Sequence, residues 1–257
     1  MSVTPKKQFG QHFLADPNIL GVIGRLADLQ PEDVVLEIGA GLGVLTTYLA
    51  DRVRHVHTVE LDRSLEAPLG QIAERPNVDL LIGDALKLPL GELDPPAEKL
   101  VANLPYNVAT PLVAESLDGL PALRLWCVMV QREVADRLFA EPGTKSYGAV
   151  SVLVRLTAER TGFHPVSRTV FRPPPNVDSA LVAFRRRRDW GPEFAGIKRV
   201  VQGAFGHRRK TLANSLVLAG FERAAVEDAL GRLAVPAGIR AEALEPEAFA
   251  ALAEALG

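Results

Sequence analysis

The chain has 257 residues, enough for one large domain or one domain with an appendage. Apolar residues make up 47% and charged residues 23%, which excludes disordered and fibrous classes. Net charge is −2, so overall charge alone points to no polyanionic partner.

No unbroken apolar run exceeds the six residues of Leu125–Val130, far short of the roughly 20 residues that span a bilayer, so no membrane association is expected. No apolar segment with a cleavage site follows Lys6 and Lys7, and a cytoplasmic location is expected. The single cysteine, Cys127, excludes an internal disulfide, a zinc ribbon and a Cys-x-x-Cys redox pair, and reads as a core residue. No metal-ligand set is recognised.

In chain order, strands are expected at Val34–Ile38, Val56–Glu60, Val78–Ile82, Lys99–Asn103, Leu125–Gln131, Val150–Leu156 and Ala180–Arg186. Helices are expected between them, at Asn18–Ala27, Val44–Asp51, Ser64–Glu74, Thr110–Leu117 and Glu133–Phe139. Asp16-Pro17 supplies an N-cap and a first-turn proline for the opening helix. Several strands are continuous Val/Ile/Leu runs, as in a parallel sheet covered on both faces, and the alternation predicts a doubly wound α/β fold.

From about Asp189, Ala, Leu, Glu and Arg take over at helical spacing. Ile197, Val200, Val201, Ala204 and Phe205 share one face, as do Leu212, Ser215, Leu216 and Ala219. Gly220 and Pro236-Ala237-Gly238 read as helix stops. The expected division is residues 1–187 and a small all-α C-terminal domain, 188–257.

Charge is unevenly spread. Between Arg185 and Lys210 stand nine Lys or Arg against Asp189 and Glu193. That window has the electrostatic footprint of a polyanion site, or of a solvated face with a linker. From Glu222 onward the balance is acidic, so Arg208 and Arg209 can instead pair with the last helices.

The first strand runs into Glu37-Ile38-Gly39-Ala40-Gly41-Leu42-Gly43 and then a helix. Glycines there let the backbone turn and approach a ligand. The spacing is not the dinucleotide fingerprint: Val44 stands where that pattern needs glycine, and Glu37 would repel a pyrophosphate. This disfavours a nicotinamide dehydrogenase. Glu60, closing the second strand before Leu61, can accept both hydroxyls of a ribose, and Asp84, before Ala85, can accept from an adenine amino group. Each acid alone would also serve as a cap or a turn. Together they suit a cationic adenosine ligand, and S-adenosylmethionine fits.

After the fourth strand comes Asn103-Leu104-Pro105-Tyr106. In isolation it is an Asn-x-Pro turn. Beside the glycine loop it suits an adenine amino group, whose lone pair is delocalised into the ring. Asn103 and the Leu104 carbonyl can accept its two hydrogens, Pro105 fixes the backbone, and Tyr106 can stack on an extruded base.

These four motifs resemble those of the S-adenosylmethionine-dependent adenine N-methyltransferases of ribosomal RNA. Gln8-Phe9-Gly10-Gln11-His12-Phe13-Leu14 is similar to the family's opening motif, which implies that Gln11, His12 and Leu14 contact the cofactor's methionine end; at His12 many relatives carry Asn. Phe171-Arg172-Pro173-Pro174-Pro175 and the Arg208-Arg209-Lys210-Thr211-Leu212 helix are similar to the small-subunit dimethyltransferase branch more than to the macrolide-resistance branch acting on 23S RNA. The resemblance implies a Rossmann-like class I methyltransferase sheet of seven mostly parallel strands, the seventh antiparallel. It further implies dimethylation of two adjacent adenosines near the 3′ end of 16S RNA, by a monomer acting on a pre-30S subunit. A mainly non-catalytic assembly factor on the same scaffold is the alternative of a different class. Phe171 is expected as a second stacking face opposite Tyr106, or else as core, and Arg208, Arg209 and Lys210 as contacts to RNA phosphates.

Overall fold

A computed structural model describes Lys6 and residues 11–257. The elements are β1 (Phe13–Leu14), α1 (Pro17–Leu26), β2 (Val34–Ile38), α2 (Val44–Ala50), β3 (His55–Glu60), α3 (Glu66–Ala73) and β4 (Val78–Ile82). They continue as β5 (Lys99–Asn103), α4 (Ala109–Gly119), β6 (Leu125–Gln131), α5 (Arg132–Leu138), α6 (Ala149–Thr157) and β7 (Ala158–Val166). The last are β8 (Phe171–Arg172), β9 (Ser179–Arg186), α7 (Glu193–Phe205), α8 (Leu212–Leu218), α9 (Arg223–Arg232) and α10 (Pro246–Leu256).

The main sheet has seven strands in the order β4-β3-β2-β5-β6-β9-β7. Strands β2 to β6 pair in parallel and β9 runs antiparallel to β6, from Leu125↔Arg185 to Gln131↔Ser179. The α/β reading of the sequence holds. Strands β2, β6 and β9 are almost wholly buried, which is why they appear as unbroken apolar runs. Cys127 lies in that core, where burial pushes its thiol up to about 12.

Two strand assignments are corrected. Val150–Leu156 lies in helix α6, not in a strand. Nearly every face of α6 is buried, so the run carries no period that separates helix from strand. Local polar bonds decide the matter: the Gly148 amide donates to Ser151 Oγ, and that hydroxyl donates to the Arg137 carbonyl. The strand completing the sheet is β7, Ala-Glu-Arg-Thr-Gly-Phe-His-Pro-Val, which shows no apolar alternation. As the last strand in the sheet order it tolerates Gly162 and Pro165.

The chain forms two compact units: residues 1–135 with 159–186, and residues 136–158 with 187–257. The crossing after Arg186 lies beside the boundary read from the sequence, but residues 136–158 join the C-terminal unit. Within that unit, Tyr147 is buried and donates to the Leu244 carbonyl at 2.7 Å, with Phe205 edge-on to its ring. Ile197, Val200, Val201 and Ala204 are buried on α7 as expected, whereas Ala219, just past α8, is exposed.

In the first unit, Trp126 of β6 stacks on Phe184 of β9 and donates to Ser116 Oγ. Arg186 lies over the Trp126 ring and donates to the carbonyls of Leu117, Leu120 and Leu123. It thereby satisfies acceptors left open where α4 ends. This arginine of the basic window is a structural cap rather than a phosphate contact. Replacing it, Arg186→Met, is expected to destabilise the protein by about 2–3 kcal/mol, the scale of charged hydrogen bonds lost to buried acceptors. Urea denaturation checks this, and an unchanged midpoint would refute it.

Candidate functional site

The sheet order fixes where a ligand pocket can form. From β2 the chain proceeds outward to β3 and β4, then returns to β5 on the other side of β2. The loops leaving β2 and β5 therefore turn to opposite faces, opening a crevice at the carboxyl ends of these strands. A cavity of about 200 Å³ lies there. The residues that reach it come from the ends of β2 (Glu37, Gly39, Gly41), β3 (Glu60, Leu61), β4 (Asp84, Ala85) and β5 (Asn103 to Tyr106), with Gln11, His12 and Leu14 from the N-terminal segment. Gln8, Phe9 and Gly10 of the opening motif lie outside the described residues.

Glu37 is fully buried at the floor. Its Oε2 accepts from the hydroxyls of Thr46 on α2 (2.6 Å) and Thr58 on β3 (2.7 Å). Burial raises its pKa from 4.5 to about 7, the two threonine bonds oppose the rise, and the charge of Glu60 adds to it. Glu60, also buried, accepts from the amides of Gly41 (2.9 Å) and Asp62 (2.8 Å), which ties the glycine loop to the end of β3. Gly41 and Gly43 both have positive φ, and a Cβ on Gly43 would lie 2.0 Å from Ile72 Cδ1. The loop is therefore closed to other residues there.

Asp84 is half-exposed. Its Oδ1 accepts from the Leu86 amide, which, with Lys87 nearby, holds its carboxyl below the usual range. Leu42, Val44, Leu61 and Leu86 line the pocket and are large apolar side chains left 40–50% exposed. The sequence does not mark Leu42, Val44 and Leu86 as lining residues, because an exposed apolar residue has no signature before the fold is known.

Asn103 Nδ2 donates to the His12 carbonyl at 3.3 Å. A carbonyl only accepts, so the amide nitrogen must face His12, and Oδ1 is turned to the other side as an acceptor. Leu104 is buried, with its amide donating to the Met129 carbonyl of β6. The Tyr106 ring lies 5.7 Å from the His12 ring, and its hydroxyl is held by Ser179 Oγ of β9 at 2.5 Å. Ser179 was missed in the sequence: a lone buried serine opening a strand carries no signal.

These features bring together a glycine loop, three carboxylates at the ends of β2, β3 and β4 and an amide acceptor, with no Lys or Arg among the described residues that line the cavity. The profile of ribosomal RNA adenine dimethylases matches residues 3–256. The chain belongs to that family. Among curated relatives, ribosomal RNA small subunit methyltransferase A of Rubrobacter xylanophilus is 47% identical over 249 residues, covering 96% of this chain and 94% of its own length. The protein of the same name from Syntrophotalea carbinolica is 42% identical, with 99% and 97% covered. A dimethyladenosine transferase from Plasmodium falciparum has a similar structure, with TM-score 0.75, 25% identity and 94% and 96% coverage. The 23S rRNA methyltransferase ErmE gives TM-score 0.64 at 29% identity, with 95% and 99% covered.

Against this family background, one expected site residue takes a different place, and two others line the cavity while holding partners of their own. Phe171 is core: β8 pairs with β1 as Leu14↔Phe171, and the ring is wholly buried, so it cannot stack opposite Tyr106. Beside the triple proline the sequence favours stacking, with core packing as the alternative, and the register of β8 decides for the core. The ring next to Tyr106 is that of His12, whose Nδ1 meets the Pro173 carbonyl at 2.8 Å. The Gln11 side chain is engaged with Asp62 and with the Lys6 amide. Asp62, unremarked in the sequence, also binds Lys6 Nζ at 2.7 Å and Ser64. Burial alone would raise its pKa, but these bonds hold it well below the usual carboxylate range.

In the C-terminal unit Arg208, Arg209 and Lys210 are exposed on the loop before α8. Arg208 donates to the Lys145 carbonyl and lies 3.9 Å from Glu242, a loose pairing with the acidic C-terminal region.

Glu37 gives a pH test with a definite sign. Its folded pKa lies above the unfolded value, so its contribution is fully present below pH 4.5 and is lost as pH rises through about 7. The stability of the wild type relative to Glu37→Gln should fall by about 3 kcal/mol across that window and then level off. Denaturant melts at several pH values measure it, and a difference independent of pH would contradict the assignment.

Proposed function

We propose that this chain transfers methyl groups from S-adenosylmethionine to the exocyclic amino groups of two adjacent adenosines near the 3′ end of 16S RNA. Each adenosine is dimethylated, on a pre-30S particle in the cytoplasm, by the monomeric protein. The observation that carries the reading is the pairing of an outward-facing acceptor, Asn103 Oδ1, with an acidic pocket at the adjoining strand end whose described lining residues include no Lys or Arg.

The donor set fits the cofactor. Glu60 and Asp84 retain unused carboxylate lone pairs for a ribose diol and an adenine amine, and Glu37 at the floor favours positive charge. A phosphate-bearing ligand would meet three acids and, among the described lining residues, no cation. When bound, S-adenosylmethionine supplies a methyl group made electrophilic by the sulfonium.

The chain's own residues then activate the nucleophile. Asn103 Oδ1 and the Leu104 carbonyl accept the two amino hydrogens, which favours a pyramidal nitrogen whose lone pair is withdrawn from the ring. Both acceptors are fixed before the substrate arrives, Asn103 by His12 and Leu104 by β6, so little reorganisation accompanies the reaction. Tyr106, pinned by Ser179, offers its ring to the extruded base. Pro105, without an N–H, keeps a competing donor away from the amine.

Assignment to the small-subunit RNA is supported by the names of the relatives at 42–47% identity, against 29% for the 23S enzyme. Transfer of labelled methyl groups to undermethylated small subunits, with the modified nucleotides mapped, tests the reading. Asn103→Ala is expected to lower the rate by at least about 100-fold, the scale of one preorganised acceptor, with cofactor affinity little changed. Methylation of large-subunit RNA instead, or an active Asn103→Ala protein, would refute it.

The loop bearing Arg208, Arg209 and Lys210 supplies charge for the RNA backbone. Replacing all three with Gln should weaken RNA binding and reduce the slope of log K against log salt by about 2–3, without altering cofactor affinity. An unchanged slope in a filter-binding titration would place the RNA elsewhere.

A further inference from the structure

Away from the pocket, the sheet gathers a second group of polar side chains. His55 and His57 lie two apart on β3 and so share one face of the sheet. Asp79 of β4 is the register partner of His57. His55 Nε2 is 2.8 Å and His57 Nδ1 3.1 Å from the same oxygen, Asp79 Oδ2. The three ligand atoms lie within 4.8 Å of one another.

The chemistry of His57 is the informative part. Its ring is 1% exposed, and Nε2 meets the Pro95 carbonyl at 2.8 Å. Since a carbonyl only accepts, Nε2 carries the hydrogen, which leaves Nδ1 as the lone-pair nitrogen of the neutral ring. Nδ1 is buried and makes no hydrogen bond among the described residues; it is close to Asp79 Oδ2 but not aligned with it. A buried lone pair beside a carboxylate oxygen, with no hydrogen aligned between them, is unfavourable unless a cation sits between the groups. A ring nitrogen turned toward a cation, with the other N–H donating to a backbone carbonyl, is the usual arrangement of a metal-bound histidine.

We propose that His55, His57 and Asp79 form a binding site for a divalent transition-metal ion, with zinc as the best match. Two imidazoles and one carboxylate leave a fourth, tetrahedral position for water. Ligand atoms around zinc stand about 3.3 Å apart at bond lengths of 2.0–2.1 Å, so the two histidine–aspartate separations, 2.8 and 3.1 Å, need to open by no more than about half an ångström. Asp79 can supply that movement, because its side chain is 53% exposed, and the same exposure gives a hydrated ion a way in. The bound ion would clamp the outermost strand, β4, to β3, just upstream of Asp84 in the methyl-donor pocket. The sequence showed no such set, because a His-x-His and an aspartate 22 residues later meet only through the parallel register.

The test uses the full chain without an affinity tag. The chain has five histidines and one buried cysteine, so few rival ligands exist. Zinc titration by calorimetry should show one equivalent bound, and cobalt(II) should give the intense visible bands of a tetrahedral site that zinc then abolishes. Asp79→Asn and His55→Ala should each weaken binding by about tenfold or more and remove the rise in melting temperature that zinc gives the wild type. His164→Ala should change neither. Absence of saturable binding, the pale spectrum of octahedral cobalt, or equal affinity in the Asp79→Asn protein would overturn the proposal. Asp79 is exposed, so that variant folds independently of the outcome.

Discussion

The reversal of strand order between β2 and β5 is the constraint on which the rest of this molecule depends. It separates the loops at two neighbouring strand ends and leaves polar backbone at the centre of an apolar sheet. That space is stabilised from below by Glu37, tied to α2 through Thr46 and to β3 through Thr58. Glu60 repeats the arrangement one strand outward, tied to the glycine loop and the turn after β3. The carboxylates therefore have two tasks, holding the loops in place and setting the sign of the potential in the cavity. A cationic ligand answers the second requirement without disturbing the first, because each oxygen has lone pairs left.

The amide side of the site obeys similar logic. Asn103 cannot choose which way to face, since the carbonyl next to it belongs to His12. His12 is in turn held by β1–β8 pairing one residue on, and by the Pro173 carbonyl. The opening motif thus acts on the acceptor as well as lining the pocket. An amide whose orientation is fixed by backbone elsewhere in the chain is preorganised in the sense that matters for methylating a poor nucleophile.

Much of this was legible in the sequence because the motifs fall at strand ends, where alternation of strand and helix already predicts their convergence. Glu37, Glu60, Asp84 and Asn103 all line one cavity, as their spacing implied. What escaped had no local signature. Helix α6 reads as a strand since it is buried on nearly every side, and β7 does not read as one since it alternates nowhere. Phe171 was assigned a ligand-facing role that only the register of β8 could deny. Asp62 and Ser179 are ordinary residues made important by partners 51 and 73 positions away.

The same distinction explains why charge was the weakest guide. Of the basic run that opens the C-terminal window, Arg186 is spent on three backbone carbonyls, Arg187 donates to the Arg155 carbonyl, and Arg188 covers the Trp190 ring. A count of positive residues treats these as equivalent to Arg209 and Lys210, which project from a loop with their side chains exposed. A guanidinium that already satisfies buried acceptors cannot turn to a phosphate without exposing a desolvation cost of the same order as the contact it would gain. Arg186 therefore belongs to the fold, whereas Arg209 and Lys210 stand exposed on the short loop ahead of α8.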